Sequence, residues 1–216
     1  MAIVTLDSPA CPQTRRWTRA EFHRLAELGF FSGQRAELVE GAIVVQSPQN
    51  PEHVFAVDRA HRVLSSTFGQ GFWVRARFPL AVGQASEPEP DVSVVPGDAT
   101  HYRHAHPRHA VLVLEVSDST LSSDSTPSYE RRYKASLYAR AGVQDYWILN
   151  LVDARLEVYR DPVADPSQSS GFRYTVHQDL SPAATITPLA LPGVAIPVAD
   201  LLGPPPAPAL SGSPAP

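Results

Sequence analysis

Lysine is almost missing from this chain: Lys134 is the only one among 18 basic side chains, and the rest are arginine. Cysteine is as scarce. Cys11 alone excludes an internal disulfide and a thiolate zinc site, so a reducing cytoplasm is the expected compartment. No apolar run reaches the roughly 18 residues of a membrane span. The N-terminus also lacks the basic segment and apolar stretch of a signal peptide. Excess basic charge is absent too, with a net charge of −4 and a pI near 6.0. That argues against a histone-like coat for nucleic acid, but not against an enzyme that focuses positive potential in one cleft. What is present suits one ordinary domain: 216 residues, 43% apolar and 19% charged, enough for a sizeable core.

Residues 1–16 carry no periodicity and are expected to form a loose lead-in. Thr18-Arg19-Ala20-Glu21 has the capping-box form, and Phe22, Leu25, Ala26 and Leu28 follow at helical spacing up to Gly29. Residues 37–45 predict two short strands around a Glu40-Gly41 turn. Beyond Pro48, the spacing of Val54, Val57, Ala60, Val63 and Leu64 predicts a second helix over 51–68. Residues 72–82 alternate as a strand would, and Glu87-Pro88-Glu89-Pro90 leads into another at 91–95. A polar, His-rich loop over 97–109 precedes 111–117, whose Val-Leu-Val-Leu-Glu-Val-Ser reads as a buried central strand. A Ser/Thr/Asp/Pro loop, a helix over 129–141 and a hairpin of 145–151 with 155–160 come next. An outer strand at 172–176 follows, and the proline-rich tail 203–216 cannot build a core. The mixture predicts an α/β fold, with a single domain over 17–202.

Glu115 is the anomaly in that pattern. A carboxylate inside so apolar a strand costs several kcal/mol unless it is paired, protonated or bound to a metal. Alternation puts Val113, Glu115 and Ser117 on one face, opening at the strand end. An ion pair with an arginine is the plain structural alternative. Asp91, just after Pro90, is by itself an ordinary turn residue. Beside Glu115 it would complete an oxygen-rich niche for Mg²⁺ or Mn²⁺, ions that take carboxylate and carbonyl oxygens and keep several waters. Lys134 shares a helix face with Tyr138 at i+4 and Glu130 at i−4. A helix packed after the central strand would aim that ammonium at the niche; the alternative is a lysine facing solvent.

These pieces occur in a telling order: Glu37-Leu38-Val39-Glu40-Gly41, Ser47-Pro48 with His53, Pro90-Asp91-Val92, Glu115-Val116-Ser117, then Lys134, Tyr138 and Gly142-Val143-Gln144-Asp145-Tyr146-Trp147. Over residues 17–160 the set resembles the Uma family of endonucleases, within the restriction-endonuclease-like PD-(D/E)XK superfamily. The resemblance implies a mixed β-sheet flanked by helices and a divalent metal at the sheet's split end. It matches Asp91 and Glu115 to the family's two acids. Lys134 matches a lysine supplied from the following helix, in place of the strand position that Ser117 occupies here. Glu37 matches an acidic position in the first hairpin and His53 a histidine at the start of the second helix, which could equally cap its helix.

The function this implies is metal-dependent hydrolysis of DNA phosphodiester bonds. Asp91, Glu115, the Val116 carbonyl and Glu37 would hold Mg²⁺ or Mn²⁺, and Lys134 would stabilise the transition state. Arg75 and Arg77 on one strand face, with Arg131, Arg132 and Arg140 near the lysine helix, are the candidate phosphate contacts. A non-catalytic nuclease-fold domain that binds DNA or protein is the alternative. A zinc or nickel site from His101, His104, His106 and His109 is a third reading, weakened by Pro107 and the lack of a thiolate. Ser117 and Ser119 lack a glycine-flanked nucleophile elbow. Tyr146 and Trp147 are expected in the core or in a contact between two subunits of a homodimer.

Overall fold

The computed structural model describes residues 14–118, 133–168 and 170–204. Most of the expected lead-in (1–16) and tail (203–216) lies outside these residues, as do Cys11, Ser119, Glu130, Arg131 and Arg132. The first helix, α1 (Arg19–Glu27), starts where its capping box predicts: Thr18 Oγ1 accepts the Glu21 N–H at 3.3 Å and Glu21 takes the Thr18 N–H at 2.9 Å. β1 (Arg35–Val39) and β2 (Ala42–Gln46) form an antiparallel hairpin. Its two-residue turn, Glu40-Gly41, has φ of 49° and 78°, the left-handed pair whose twist matches that of paired strands. Ser86 Oγ accepts the Glu40 N–H at 2.9 Å and fixes the turn. α2 (Pro51–Phe68) has Asn50 as its cap and proline in its first turn.

Six strands make the main sheet, in the order β3 (Phe72–Ala76), β4 (Val92–Pro96), β5 (Leu112–Ser117), β6 (Asp145–Asn150), β7 (Arg155–Ala164) and β8 (Phe172–Leu180). Every neighbouring pair is antiparallel except β5 and β6, which run parallel. Parallel neighbours need a crossover rather than a tight turn, and this one carries α3 (Ala135–Arg140). A small pair, β9 (Thr185–Ile186) with β10 (Ile196–Pro197), and α4 (Val198–Leu202) follow. Among the described residues no helix is long and apolar enough to cross a membrane.

The sheet splits the core in two. Leu112, Leu114, Val116, Trp147 and Leu149 face α2 and α4, where Ala60, Leu64 and Leu201 meet them. Val113, Tyr146 and Ile148 face the other way, against Leu137 and Tyr138 of α3, Val39 of the hairpin, and Leu80. β5 is buried throughout, as a strand covered on both sides must be. Tyr146 and Trp147 are fully buried, so they fill the core and are not surface available to a second subunit.

Several boundaries differ from the sequence expectation. The strand expected over 72–82 stops at Ala76, because Arg77 takes a left-handed φ of 56° and turns the chain. Arg75 and Arg77 are therefore not two exposed residues of one strand: Arg75 is buried, and Arg77 bends toward Asp91. β7 runs past Arg160 to Ala164, with a left-handed Asp161 (φ 56°) inside it, and β8 pairs along this extension to Leu180. Its partner strand supplies what local alternation alone could not signal.

Candidate active site

The register of β4 on β5 builds the site. Val92 faces Leu114, so one step further Asp91 faces Glu115, and the Asp91 N–H donates to Glu115 Oε2 at 3.2 Å. In return the Val116 N–H donates to Asp91 Oδ2 at 2.9 Å. The two acids are thus locked across the strand pair. Three further elements bring partners. From the residue preceding α3, Lys134 Nζ donates to Glu115 Oε1 at 3.0 Å, and one turn on, Tyr138 OH donates to the same oxygen at 2.7 Å. From β1, Glu37 places Oε2 3.9 Å from Lys134 Nζ. From α2, His53 sets Nε2 3.1 Å from Asp91 Oδ1 and Nδ1 3.4 Å from Asp118 Oδ2.

All five expected side chains meet here, and each is buried: Glu115 at 1% exposure, Glu37 at 2% and Lys134 at 5% decide that this is interior rather than surface. The lysine does not face solvent, and the partner of Glu115 is that lysine rather than an arginine. His53 is not the cap of its helix, a role that Asn50 fills. Its backbone N–H takes the Asn50 side-chain oxygen at 2.9 Å while its ring lies between Asp91 and Asp118.

Burial pushes Glu37 up to about 7; the Lys134 ammonium opposes this, while Glu115, Glu89 and Asp91 add to it. Burial also raises Glu115, again against Lys134 and with Asp91 adding to the rise. For Asp91, burial is outweighed by the His53 hydrogen bond and charge, with help from Lys134, so its pKa falls. Burial would lower His53, but Asp91 and Asp118 more than offset it and the pKa rises. Burial and the Glu115 charge hold Tyr138 well above the usual phenol range, as a neutral donor. Three buried carboxylates face the Lys134 ammonium, with His53 and Arg77 at Asp91, and among the described residues Glu37 Oε2 has no hydrogen-bond partner. An orphaned, hard, anionic oxygen beside two other carboxylates is the donor set that a small divalent cation requires. By chemical type these carboxylates suit Mg²⁺ or Mn²⁺, with the ligand oxygens of Asp91, Glu115 and Glu37 not all within 4.8 Å of one another in this structure.

Sequence reasoning passed over several neighbours. Tyr138 carried a signal, its i+4 spacing from Lys134. Gln49, whose amide reaches Asp91 Oδ1 at 3.5 Å, and Asn50, which donates to Asp118 Oδ2 at 2.8 Å, carried none. Arg140 is committed to Glu40 at 3.4 Å, so it is less available as a phosphate contact. The His101–His109 loop gains no metal cluster: among the described residues, the group whose ligand atoms lie within 4.8 Å of one another is Glu157, His177 and Asp179. That group lies elsewhere, on β7 and β8. Glu157 there accepts from Asn150 at 2.8 Å and Tyr159 at 3.0 Å, and Asp179 pairs with Arg155 at 3.5 Å.

Known proteins resemble this chain in sequence and in fold. Residues 19–199 match the model of the Uma2 family, described as "Putative restriction endonuclease". The fold is similar to a crystal structure from Anabaena variabilis described as "a putative nuclease belonging to DUF820". The TM-score is 0.58 at 18% sequence identity, over 77% of this chain and 89% of that one. No curated protein matches the chain.

Proposed function

The chain belongs to the Uma2 family, and we propose that it is a Mg²⁺- or Mn²⁺-dependent endonuclease that hydrolyses DNA phosphodiester bonds in the cytoplasm. The observation that carries the reading is the convergence of Asp91, Glu115, Glu37 and Lys134, with one acidic oxygen left unpartnered. Asp91, Glu115 and the Val116 carbonyl would hold the cation, with Glu37 at its side. When bound, such an ion lowers the pKa of a water and neutralises charge on a phosphate oxygen.

The chain's own groups do the rest. The Asp91 and Glu115 carboxylates are held by the Val116 and Asp91 backbone N–H groups, so they cannot swing away from each other. Lys134 brings a fixed positive charge to the position where negative charge grows on the phosphoryl oxygens, and a preorganised charge needs no rearrangement as the reaction proceeds. Tyr138, neutral and donating to Glu115 Oε1, leaves that carboxylate's other oxygen turned toward Asp91. Glu37, whose Oε2 has no hydrogen-bond partner among the described residues, would contact the cation directly or through a water. His53 and Asn50 tie the start of α2 to Asp91 and Asp118, and so hold the mouth of the site in shape.

Plasmid nicking with Mg²⁺ or Mn²⁺ tests the proposal. The wild type nicks; Asp91→Ala and Lys134→Ala do not. Equal activity in all three removes it. A non-catalytic domain would instead show no Asp91-dependent Mn²⁺ binding, and Mn²⁺ titration of wild type and Asp91→Ala separates that case.

A further inference from the structure

Glu37 and Lys134 approach to 3.9 Å, although no strand ladder joins the elements that carry them. β1 and β2 form a small sheet of their own, and one isolated bridge, Leu38 to Glu87, ties β1 to the chain before Asp91. Val39 packs in the same apolar cluster as Leu137 and Tyr138 of α3. Apolar contact is non-directional, so it does not by itself fix where along α3 the hairpin sits.

Glu40 supplies the missing constraint. It holds the first position of the hairpin turn with a φ of 49°, a left-handed place where Asn, Asp or Gly is the usual choice. The turn itself has no need of a long carboxylate. Glu40 Oε1 accepts from Ser170 Oγ at 2.5 Å and from Arg140 Nη1 at 3.4 Å. Ser170 gives its backbone N–H to Ser136 Oγ at 3.1 Å, and that hydroxyl donates to the Phe172 carbonyl at 2.7 Å. Both serines are buried. One oxygen of Glu40 therefore reaches both ends of α3: through Ser170 to Ser136, two residues after Lys134, and directly to Arg140 in the last turn. The turn's backbone is held by other groups, Ser86 Oγ on the Glu40 N–H at 2.9 Å and Arg16 on its carbonyl at 2.5 Å.

We propose that Glu40 is a positioning residue, which braces the β1–β2 hairpin against α3 and so sets Glu37 opposite Lys134. Its consequence for catalysis rests on the nuclease reading; the geometry it controls does not. The Glu40 and Arg140 side chains are 21% and 35% exposed, and an ion pair so placed adds little to stability. Loss of the brace should therefore be felt in the site rather than in folding.

Lys134 is the only lysine in the chain and is 5% exposed, so its acetylation by an amine-selective reagent, mapped by peptide mass in metal-free protein, reports on the site alone. Glu40→Asn suits the left-handed turn but is too short to reach Ser170. It should label Lys134 about tenfold faster through local opening, with an unchanged melting temperature. Ser170→Ala, which leaves the turn untouched, should act in the same direction, and Glu40→Gln, which keeps the length and an acceptor, should label close to the wild-type rate. Mn²⁺ affinity of Glu40→Asn, measured by calorimetry, should fall about tenfold, and nicking should lose kcat with KM unchanged. Wild-type labelling rates in both Glu40→Asn and Ser170→Ala overturn the brace, as does a Glu40→Gln rate equal to that of Glu40→Asn. If labelling responds while the wild type neither binds Mn²⁺ nor cuts DNA, the brace stands and the nuclease reading falls.

Discussion

Asp145 and Glu115 sit on neighbouring parallel strands of one sheet, and both are buried almost completely. Their surroundings differ in one respect. Asp145 receives donors on both oxygens: Trp147 Nε1 at 2.6 Å and Arg160 Nε at 2.8 Å on one, the Leu189 N–H at 2.8 Å and Arg160 Nη2 at 3.3 Å on the other. One acid meets one guanidinium, and the guanidinium is further held by the Thr187 carbonyl at 2.7 Å. Glu115 also has donors on both oxygens, Lys134 and Tyr138 on one and the Asp91 N–H on the other, but it shares its ammonium with Glu37, whose Oε2 has no hydrogen-bond partner among the described residues. Both arrangements desolvate charge. The balanced one ties the loop after β9 to the sheet and has nothing left to offer a ligand. The other keeps an unpartnered carboxylate oxygen among the described residues, where the proposed cation would sit.

Breaking the balanced cluster should show the largest effect. Asp145→Ala strands the Arg160 guanidinium and should cost about 3–5 kcal/mol of stability, read from chemical denaturation, with cleavage per folded molecule unchanged. In the unbalanced cluster the loss falls on rate instead. Lys134→Met should slow nicking by about 10²–10³-fold, equivalent to about 2.7–4 kcal/mol of barrier, while still binding DNA. Equal slowing by Asp145→Ala at matched folded fraction would erase the contrast.

Glu37→Gln sharpens it through pH. The folded chain holds the Glu37 proton up to about pH 7, above the 4.5 of an ordinary glutamate, so folding takes up a proton in that window. Stability therefore falls as pH rises from about 4.5 to 7. In metal-free protein the Gln variant should be more stable than wild type by up to about 3 kcal/mol above pH 7, with no advantage below pH 4.5, as followed by thermal melts. Saturating Mn²⁺ should reverse the order, because it stabilises the form whose carboxylate it binds. Smallest is Tyr138→Phe: loss of one donor to Glu115 should cost about 1.5 kcal/mol and slow nicking only severalfold.

Much of this site was readable because its residues break local rules. Glu115 interrupts an apolar strand, Lys134 stands alone among arginines, and Asp91 follows a proline at a strand mouth. The α/β fold and the hairpin at Glu40-Gly41 followed from the period and the turn chemistry in the same way. Contributions set by tertiary contact left no such mark. Arg77 turns onto Asp91 because of one left-handed backbone angle, whereas the alternation of 72–82 pointed to a longer strand. Gln49 and Asn50 look like ordinary polar residues before a helix, and only the docking of α2 beside β4 and β5 gives them acids to hold. The length of β7 was hidden as well, since β8 is what keeps residues past Arg160 extended.

The crossover between β5 and β6 has one more implication. Because Lys134 travels on that connection rather than on the strand beside Asp91, the site is assembled by tertiary closure. During synthesis the two acids emerge well before the sheet partners against which α3 rests, β7 and β8. A nascent or partly melted chain therefore holds its acids without the cation-bearing arm in register, and they repel one another. If the chain is the nuclease proposed above, its activity would therefore depend on completion of the whole sheet and not on the two acids alone.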